Sequence, residues 1–231
     1  MDHVNTHTAC LAGATGLTGN HCLNYLLKDP AYSEIVVLTR RALSVKHQKI
    51  REEIIDFNKL EEYRKVIRGD HIFCCLGTTI RKAGNRQAFR KVDFDYPKNI
   101  ADITRANGAT QYLLISAIGA DPDSRIFYNR TKGETETAVS SVSFPSLIIF
   151  RPSLLLGDRQ EFRLGEKTGE ILLRILSPLL MGKWRKYRPV QAKAVAESMV
   201  EMAKVELKGI HIFESDEIRF FHRRLQNPRT R

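Results

Sequence analysis

The feature that most constrains the fold is a glycine-rich turn near the start of the chain, in the segment LAGATGLTGNHCLNYLL (11–27). Gly13, Gly16 and Gly19 recur at a spacing of three, between an apolar run and a run with helical periodicity. A strand that turns sharply into a helix presents free backbone N–H groups at the helix start, where a phosphate binds well. The pattern therefore predicts a strand–turn–helix unit with an anion site. A turn that only packs is the alternative.

The rest of the chain alternates in the same way. Helical spacing is found over 18–28, 60–67, 87–107, 130–142 and 192–204. The apolar runs between these stretches are continuous rather than alternating, which favours parallel strands covered on both faces. We therefore predict an α/β fold with a doubly wound, mostly parallel Rossmann-type sheet and helices on both faces. The strand-like runs are TACLAGA, EIVVLTR, EIIDF, HIFCCLG, QYLLISAIG, SLIIFRPSLLLG and GIHIF.

The length of 231 residues suits one medium-sized domain. We see no repeat and no Pro/Gly-rich linker, so we predict a single NAD(P)-binding domain over 1–231. The pattern loosens after the run FRPSLLLGDRQE, which predicts a small, variable substrate-side segment over 157–190. The last residues, 219–231, form a basic tail.

The net charge of +11 is partly local, because the final stretch IRFFHRRLQNPRTR holds five arginines and no acid. No recognised nucleic-acid-binding module accompanies this charge, so nucleic acid is not expected as the main partner. A solvated basic surface that also suits a phosphorylated cofactor explains the charge better. The sequence predicts a monomer or homodimer.

The chain carries no signal-peptide pattern and no apolar run long enough to span a membrane. Its four cysteines are not spaced like a metal site or a disulfide framework, and the seven histidines are scattered. We therefore expect a reducing cytoplasmic location, no metal, and inert buried thiols at Cys74 and Cys75.

The end of the second predicted strand indicates which dinucleotide binds. An acid there usually holds the ribose 2′-hydroxyl of NAD, whereas arginine accommodates the 2′-phosphate of NADP. This chain reads VVLTRRAL, with Arg40 and Arg41 and no acid. Two guanidinium groups can form charge-assisted contacts to a phosphate, so NADP(H) is favoured over NAD(H). A pair of surface arginines is the alternative.

A candidate catalytic pair lies in the segment FYNRTKGETE, where Tyr128 precedes Lys132 by four residues. On a helix this spacing puts both side chains on one face. An ammonium beside a phenol lowers the phenol's pKa and lets it exchange a proton with a substrate oxygen. Ser116, at the end of the fifth predicted strand, would hydrogen-bond the same oxygen. A rim tyrosine, a solvated lysine and a strand-end serine are the alternative.

Together these residues resemble the short-chain dehydrogenase/reductase superfamily. Within it, the chain is similar to the atypical Tat-interactive-protein-like branch of NADP-binding oxidoreductases. The stretches that carry this resemblance run from about residue 11 to 166. They are GATGLTG, VLTRR, DFNKLEEY, CCLGTTIRKAG, FRKVDFDY, SAIGAD, YNRTKGETE and FRPSLLLGDRQE.

The resemblance implies a set of cofactor contacts. The glycine turn would hold the pyrophosphate, Arg40 and Arg41 the 2′-phosphate, and Tyr128 with Lys132 the proton transfer. The chain departs from the family in having Ser116–Ala117 where two adjacent serines are common, and in having no clear relay asparagine; Asn99 is a poor match. The implied cofactor residues are Gly13, Thr15, Gly16, Leu17, Thr18, Gly19, Arg40, Arg41, Asp56, Phe57, Leu76, Gly77, Thr78, Lys132, Pro152 and Ser153.

These observations favour an NADP(H)-dependent oxidoreductase that acts on a small carbonyl or alcohol. The alternative is an NADP(H)-binding regulatory module that contacts another protein and turns over little. Similar eukaryotic proteins act in protein interaction as well as cofactor binding, which keeps that alternative open. A third interpretation, epimerase or dehydratase chemistry on a nucleotide sugar, is ranked last because the C-terminal region is short for a sugar-nucleotide subdomain.

Overall fold

A computed structural model describes residues 6–157, 182–205 and 207–227. A parallel sheet of seven strands has the order β3-β2-β1-β4-β5-β6-β9, and β7 pairs with β8 in a separate two-stranded sheet. The predicted doubly wound parallel sheet is confirmed. The strands are β1 (His7–Ala12), β2 (Tyr32–Thr39), β3 (Ile50–Ile54), β4 (His71–Cys74), β5 (Gln111–Ile115), β6 (Ser146–Arg151), β7 (Leu155–Leu156), β8 (Val190–Gln191) and β9 (Gly209–Glu214).

Helices connect these strands and cover both faces of the sheet. The α-helices are α1 (Leu17–Lys28), α2 (Ile80–Ala83), α3 (Arg86–Arg90), α4 (Tyr96–Ala106), α5 (Phe127–Ser140), α6 (Ala192–Ala203) and α7 (Ser215–Gln226). A π-helical segment, Lys91–Asp95, joins α3 to α4, and 3-10 helices span Phe57–Tyr63 and Gly182–Tyr187. In the described part of the chain, no helix is long and apolar enough to cross a membrane.

The central strands are buried on both faces because each face packs against a helical layer. On one face Leu26 of α1 and Met199 of α6 pack with Phe150 of β6. On the other face Ile100 of α4 and Val139 of α5 pack near Tyr112 of β5. This two-sided burial explains why the strand sequences are continuously apolar rather than alternating.

The helical stretch predicted over 87–107 is confirmed, and the structure adds a π-helical segment between α3 and α4. Pro97 lies in the first turn of α4 and has no N–H to donate to the carbonyl of Asp93, four residues earlier. That carbonyl instead accepts a hydrogen bond from Thr135 Oγ1 of α5, at 2.8 Å. The missing backbone hydrogen bond is therefore replaced by one from a side chain of the neighbouring helix.

Two other predicted helices differ in their bounds. The stretch predicted over 60–67 is a 3-10 helix that begins at Phe57, where the Asp56 carboxylate accepts the N–H of Asn58 and caps its start. Lys59 has a non-helical backbone inside it, so the segment does not continue as an α-helix. Helix α5 begins at Phe127 rather than at residue 130. The earlier start places Tyr128 inside the helix.

The predicted peripheral segments are described only in part. Of the substrate-side segment 157–190, residues 158–181 lie outside the described residues. Residues 219–226 of the basic tail belong to α7, and 228–231 lie outside the described residues.

Candidate functional site

The candidate site lies where the strand order of the sheet reverses, between β1 and β4. Connections leave these two strands in opposite directions along the sheet, so a crevice opens at their carboxyl ends. Gly13 follows β1 with a φ of +89°, and a Cβ there would lie 2.6 Å from the carbonyl oxygen of Cys75. Only glycine allows the turn this conformation and this close approach to the end of β4.

The start of α1 is suited to an anion. Gly16 is its N-cap and, since no side chain caps this end, the N–H groups of the first turn are left for a ligand. The first turn also holds no acidic residue that would repel a phosphate. A Cβ on Gly19 would lie 2.0 Å from the carbonyl oxygen of Gly13, so this glycine lets the helix pack onto the turn. Thr15, Leu17 and Thr18 complete the predicted turn, with Thr15 exposed and Thr18 buried.

Arg40 and Arg41 are exposed directly after β2. The hydroxyl of Thr39 donates to the carbonyl oxygen of Arg41 at 2.8 Å and shapes the backbone there. Arg40 also lies close enough to Tyr96 to oppose the rise that burial and Asp56 produce in the pKa of that phenol. Two exposed guanidinium groups therefore stand at the edge of the crevice.

Asp56 and Phe57, two of the implied cofactor residues, lie nearby. Asp56 follows β3 and is exposed, and its hydrogen bond to Asn58 lowers the pKa of its carboxyl. Phe57 is buried, with its ring 5.5 Å from that of Tyr96. The Asp56 carboxylate is accessible to a ligand, whereas the Phe57 ring is buried and packs against Tyr96.

Lys132 is the most unusual cation of the site, because it is buried. Its side chain is 7% exposed, and its Nζ lies 2.7 Å from Oδ1 of Asp93, whose side chain is 0% exposed. Burial disfavours the charged amine, but Asp93 and Tyr128 favour it, so the pKa of Lys132 is raised above its ordinary value. The lysine is therefore an ammonium at neutral pH.

Asp93 was missed by the sequence analysis. Its Oδ2 accepts the backbone N–H of Thr78 at 2.9 Å, and its Oδ1 forms an ion pair with the Lys132 ammonium at 2.7 Å. Pro97, four residues later in a helical pattern, is the one sequence signal for the backbone break at Asp93. Nothing in the sequence pairs Asp93 with a lysine 39 positions away. Asn99 is exposed on α4 and takes no part in this cluster.

Tyr128 lies one turn before Lys132 on α5, as its spacing predicts. Its ring is 5.6 Å from that of Phe89 on α3, which holds the phenol against the π-helical side of the site. Tyr128 is one of the groups that raise the pKa of Lys132.

Ser116 follows β5, and its N–H donates to the carbonyl oxygen of Phe150 at 2.8 Å. The hydroxyl is buried and has no hydrogen-bond partner among the described residues, Tyr128 included. The loop after Ser116 crosses α5 at Gly133, where a Cβ would lie 2.2 Å from the backbone of Asp121. This crossing places the serine and the first turns of α5 at one end of the sheet.

The remaining predicted residues lie at the ends of β4 and β6. Leu76, Gly77 and Thr78 follow β4, and a Cβ on Gly77 would lie 3.9 Å from Nζ of Lys132. Pro152 and Ser153 follow β6. The Ser153 hydroxyl donates to the carbonyl oxygen of Arg188 at 2.6 Å. Both segments therefore border the same crevice.

The cysteines and histidines form no metal or disulfide site within the described residues. All four cysteines are free thiols, and burial raises the pKa of Cys74 to about 11. No group of three potential ligand side chains comes together in the described ranges.

The sheet order, the glycine turn at the switch point and the Tyr–Lys helix define a dinucleotide-binding protein of the short-chain dehydrogenase/reductase type. Residues 13–169 match the family described as NAD(P)H-binding, and the chain belongs to that family. The cofactor class is therefore a nicotinamide dinucleotide.

The chain is similar to protein HTATIP2 of Rattus norvegicus, with 40% identity over 82% of this chain and 78% of that protein. It is also similar to protein FMP52, mitochondrial, of Candida albicans, with 27% identity over 86% of this chain and 89% of that protein. The predicted membership of the atypical short-chain dehydrogenase/reductase branch is confirmed.

Solved structures share the fold at low identity. MoeE5 in complex with UDP-glucose and NAD superposes with a TM-score of 0.66 and 13% identity, over 94% of this chain and 81% of that one. The Bordetella bronchiseptica enzyme WbmH in complex with NAD+ superposes with a TM-score of 0.67 and 13% identity, over 94% and 79%. Both confirm the Rossmann-type architecture.

Proposed function

We propose that the protein is an NADP(H)-dependent oxidoreductase that interconverts a small carbonyl compound and its alcohol. The observation that carries this proposal is the buried Lys132 ammonium, one helical turn from Tyr128 at the carboxyl end of the sheet. Burying an ammonium costs free energy unless a charged group nearby compensates for it. Its placement beside a phenol is the arrangement that proton transfer requires.

The residues present fit a phosphorylated dinucleotide. The uncapped start of α1 would hold the pyrophosphate, and the exposed Arg40 and Arg41 would hold the 2′-phosphate. Asp56 and Phe57 would border the adenine. Leu76, Gly77, Thr78, Pro152 and Ser153 would border the nicotinamide, and Lys132 would contact its ribose. When bound, the nicotinamide supplies or accepts the hydride.

The protein's own groups would handle the proton. In the reducing direction, the Tyr128 hydroxyl donates its proton to the carbonyl oxygen as the carbonyl carbon gains a hydride. The Lys132 ammonium stabilises the phenolate that remains until solvent returns a proton. The unpartnered Ser116 hydroxyl would donate a hydrogen bond to the same substrate oxygen and orient it.

The cofactor preference can be tested by titrating the protein with NADPH and NADH while following nicotinamide fluorescence. We expect the Arg40→Ala/Arg41→Ala variant to bind NADPH roughly 100-fold more weakly, because two charge-assisted contacts to the 2′-phosphate are lost. Binding of NADH should change little.

Arg105→Ala is the control for the loss of an arginine, since Arg105 lies in the last turn of α4, before the amino end of β5 and away from the carboxyl ends of the strands. It should leave both affinities unchanged. Equal affinity of the wild type for NADPH and NADH would contradict the preference for NADP(H).

The catalytic assignment can be tested with Tyr128→Phe and a panel of aldehydes and ketones, following NADPH oxidation. We expect kcat to fall roughly 100-fold or more, because the proton donor is removed. The Kd for NADPH should stay within about twofold of the wild-type value. Tyr63→Phe, at the end of the first 3-10 helix, is the control that should keep full turnover.

The second candidate function is an NADP(H)-binding regulatory module with a protein partner. Trp184 and Phe220 are 64% and 63% exposed and lie among arginines on the second 3-10 helix and α7. Exposed aromatic residues of this kind mark interaction surfaces. Tight NADPH binding with no reduction in the wild type, and no effect of Tyr128→Phe, would favour this function.

We propose a single domain over 1–231. We also propose that the protein is a monomer or a homodimer, and light scattering measures which. A cytoplasmic location is proposed as well. The FMP52 proteins are named mitochondrial, so imaging of a fluorescent fusion with a mitochondrial marker decides between the two.

A further inference from the structure

A buried carboxylate links the catalytic helix to the end of β4. Oδ1 of Asp93 lies 2.7 Å from Nζ of Lys132 on α5, and Oδ2 accepts the N–H of Thr78 just after β4. Each oxygen therefore has its own neighbour. The position of the lysine head group relative to the crevice depends on this one side chain.

The backbone of Asp93 is held from the same helix. Thr135 Oγ1 of α5 lies 2.8 Å from the Asp93 carbonyl oxygen, in the place of the N–H that Pro97 lacks, and shares its one proton between that oxygen and the carbonyl of Thr131, also at 2.8 Å. Asp93 is therefore joined to α5 twice, through its carbonyl and through its carboxylate. This double link restricts the distance between the π-helical segment and Lys132.

The charge of Lys132 depends on the same residue. Among the described residues, the titratable groups that act most strongly on the ammonium are Asp93 from the π-helical segment, Tyr128 from its own helix and Cys74 from β4. A phenol and a buried thiol are neutral near pH 7, so Asp93 supplies the compensating negative charge. Without it, burial would act unopposed and would favour the neutral amine.

We propose that Asp93 is a positioning residue of this site, which keeps Lys132 an ammonium and holds its Nζ beside Gly77 at the end of β4. In catalysis, which rests on the proposed function, Asp93 acts on the substrate only through Lys132. The consequence is that the lysine stays charged well above neutral pH. The alkaline limit of activity is then not set by Lys132.

The test is an NMR titration of the protein labelled with ¹³C at lysine Cε, with Lys132→Arg to assign the signal. The variant is Asp93→Asn, which keeps the shape of the side chain and an oxygen for the N–H of Thr78. We expect the Lys132 signal of the wild type to titrate only above the ordinary lysine value of 10.5. In Asp93→Asn it should titrate below the ordinary value of 10.5. An unchanged titration would overturn the proposal.

Glu134→Gln is the matched control, because it removes a carboxylate from the same helix. Glu134 pairs with Arg90, and it is not among the groups that act most strongly on Lys132. The Lys132 signal should therefore titrate as in the wild type. A shift as large as that in Asp93→Asn would mean that general electrostatics, rather than Asp93, sets the charge.

If Asp93→Asn does not fold, the double variant Asp93→Asn/Lys132→Met tests the same idea by urea unfolding. An unpaired buried ammonium is strongly destabilising, and removing it should restore stability relative to Asp93→Asn. A double variant that is no more stable than Asp93→Asn would overturn the proposal.

Catalysis offers a separate readout. If the wild type reduces a carbonyl, the alkaline limb of kcat in Asp93→Asn should move at least about one pH unit toward neutrality, a tenfold change in proton affinity. An unmoved limb would overturn the role in catalysis. The NMR titration needs no substrate, so a failure of the proposed reaction would leave the result for Lys132 intact.

Discussion

Gly19 shows how strongly a single missing side chain determines this site. The helix start can approach the turn after β1 only because position 19 has no Cβ, which would lie 2.0 Å from the carbonyl oxygen of Gly13. Backbone atoms on both sides leave no flexible group that can move aside. The same close packing brings the first-turn N–H groups toward the crevice.

We therefore expect Gly19→Ala to lower the free energy of unfolding by roughly 3 kcal/mol, since overpacking against backbone forces the helix away from the turn. Urea unfolding followed by circular dichroism measures this. Gly77→Ala is the control, because its Cβ would lie 3.6 Å from the nearest atom, Oδ1 of Asp93, and should cost roughly 1 kcal/mol or less. A Gly19→Ala protein as stable as Gly77→Ala would contradict the structure at this turn.

The site residues that the sequence predicts come together by local spacing, whereas the one that it does not predict comes into place by tertiary packing. Tyr128 and Lys132 are separated by one helical turn, so their local spacing predicts their common face. Asp93 reaches Lys132 only because the π-helical segment packs against α5, 39 positions further along the chain. No local pattern encodes a pairing of that kind.

At the scale of elements, the amino ends of β1, β2 and β4 are joined by a buried aromatic and imidazole cluster. Nδ1 of His71 lies 2.9 Å from the hydroxyl of Tyr32, and the ring of His7 stacks on it with centroids 4.2 Å apart. Burial, followed by the neighbouring His7, lowers the pKa of His71 to about 4. These three strands therefore depend on an uncharged imidazole.

This cluster predicts a loss of stability in mild acid. The unfolded chain binds a proton at His71 near pH 6.5, whereas the folded protein does so only near pH 4. The contribution of the neutral ring is therefore complete above pH 6.5 and is lost as the pH falls toward 4. Between pH 7 and 5 it should weaken by about 2 kcal/mol.

Urea unfolding at pH 7 and pH 5 measures this difference. The decline in the free energy of unfolding should be about 2 kcal/mol smaller in His71→Gln, which has no group to titrate there. His47→Gln, at an exposed position before β3, should keep the wild-type decline. An equal decline in wild type and His71→Gln would show that other groups control the acid response.

For the whole molecule, the alternation of apolar runs and helical stretches was enough to predict the class of fold, because a parallel sheet requires both. The strand order adds the switch point between β1 and β4, which a linear sequence does not state. In a sheet of this kind, ligands bind in the crevice at the switch point. A glycine turn after the first strand could therefore be interpreted as a cofactor site. Helix bounds were less predictable, since tertiary contacts such as Thr135 to Asp93 decide them.

Hydrogen bonds of Ser153 also connect segments that are far apart in the chain. Its N–H donates to Ser215 Oγ at 2.6 Å, and its hydroxyl donates to the carbonyl oxygen of Arg188. The end of β6, the entry to β8 and the start of α7 are thus joined at one residue. These hydrogen bonds hold together the end of the sheet that borders the crevice.

The backbone break at Pro97 has an evolutionary consequence. A descendant that replaced Pro97 with another residue would regain an N–H for the Asp93 carbonyl, and the hydroxyl of Thr135 would then compete for the same acceptor. A descendant that kept the proline but lost the threonine would leave that carbonyl without a donor. We therefore expect Pro97 and Thr135 to be replaced together rather than singly in related proteins, whereas this bond places no constraint on the side chain at position 93.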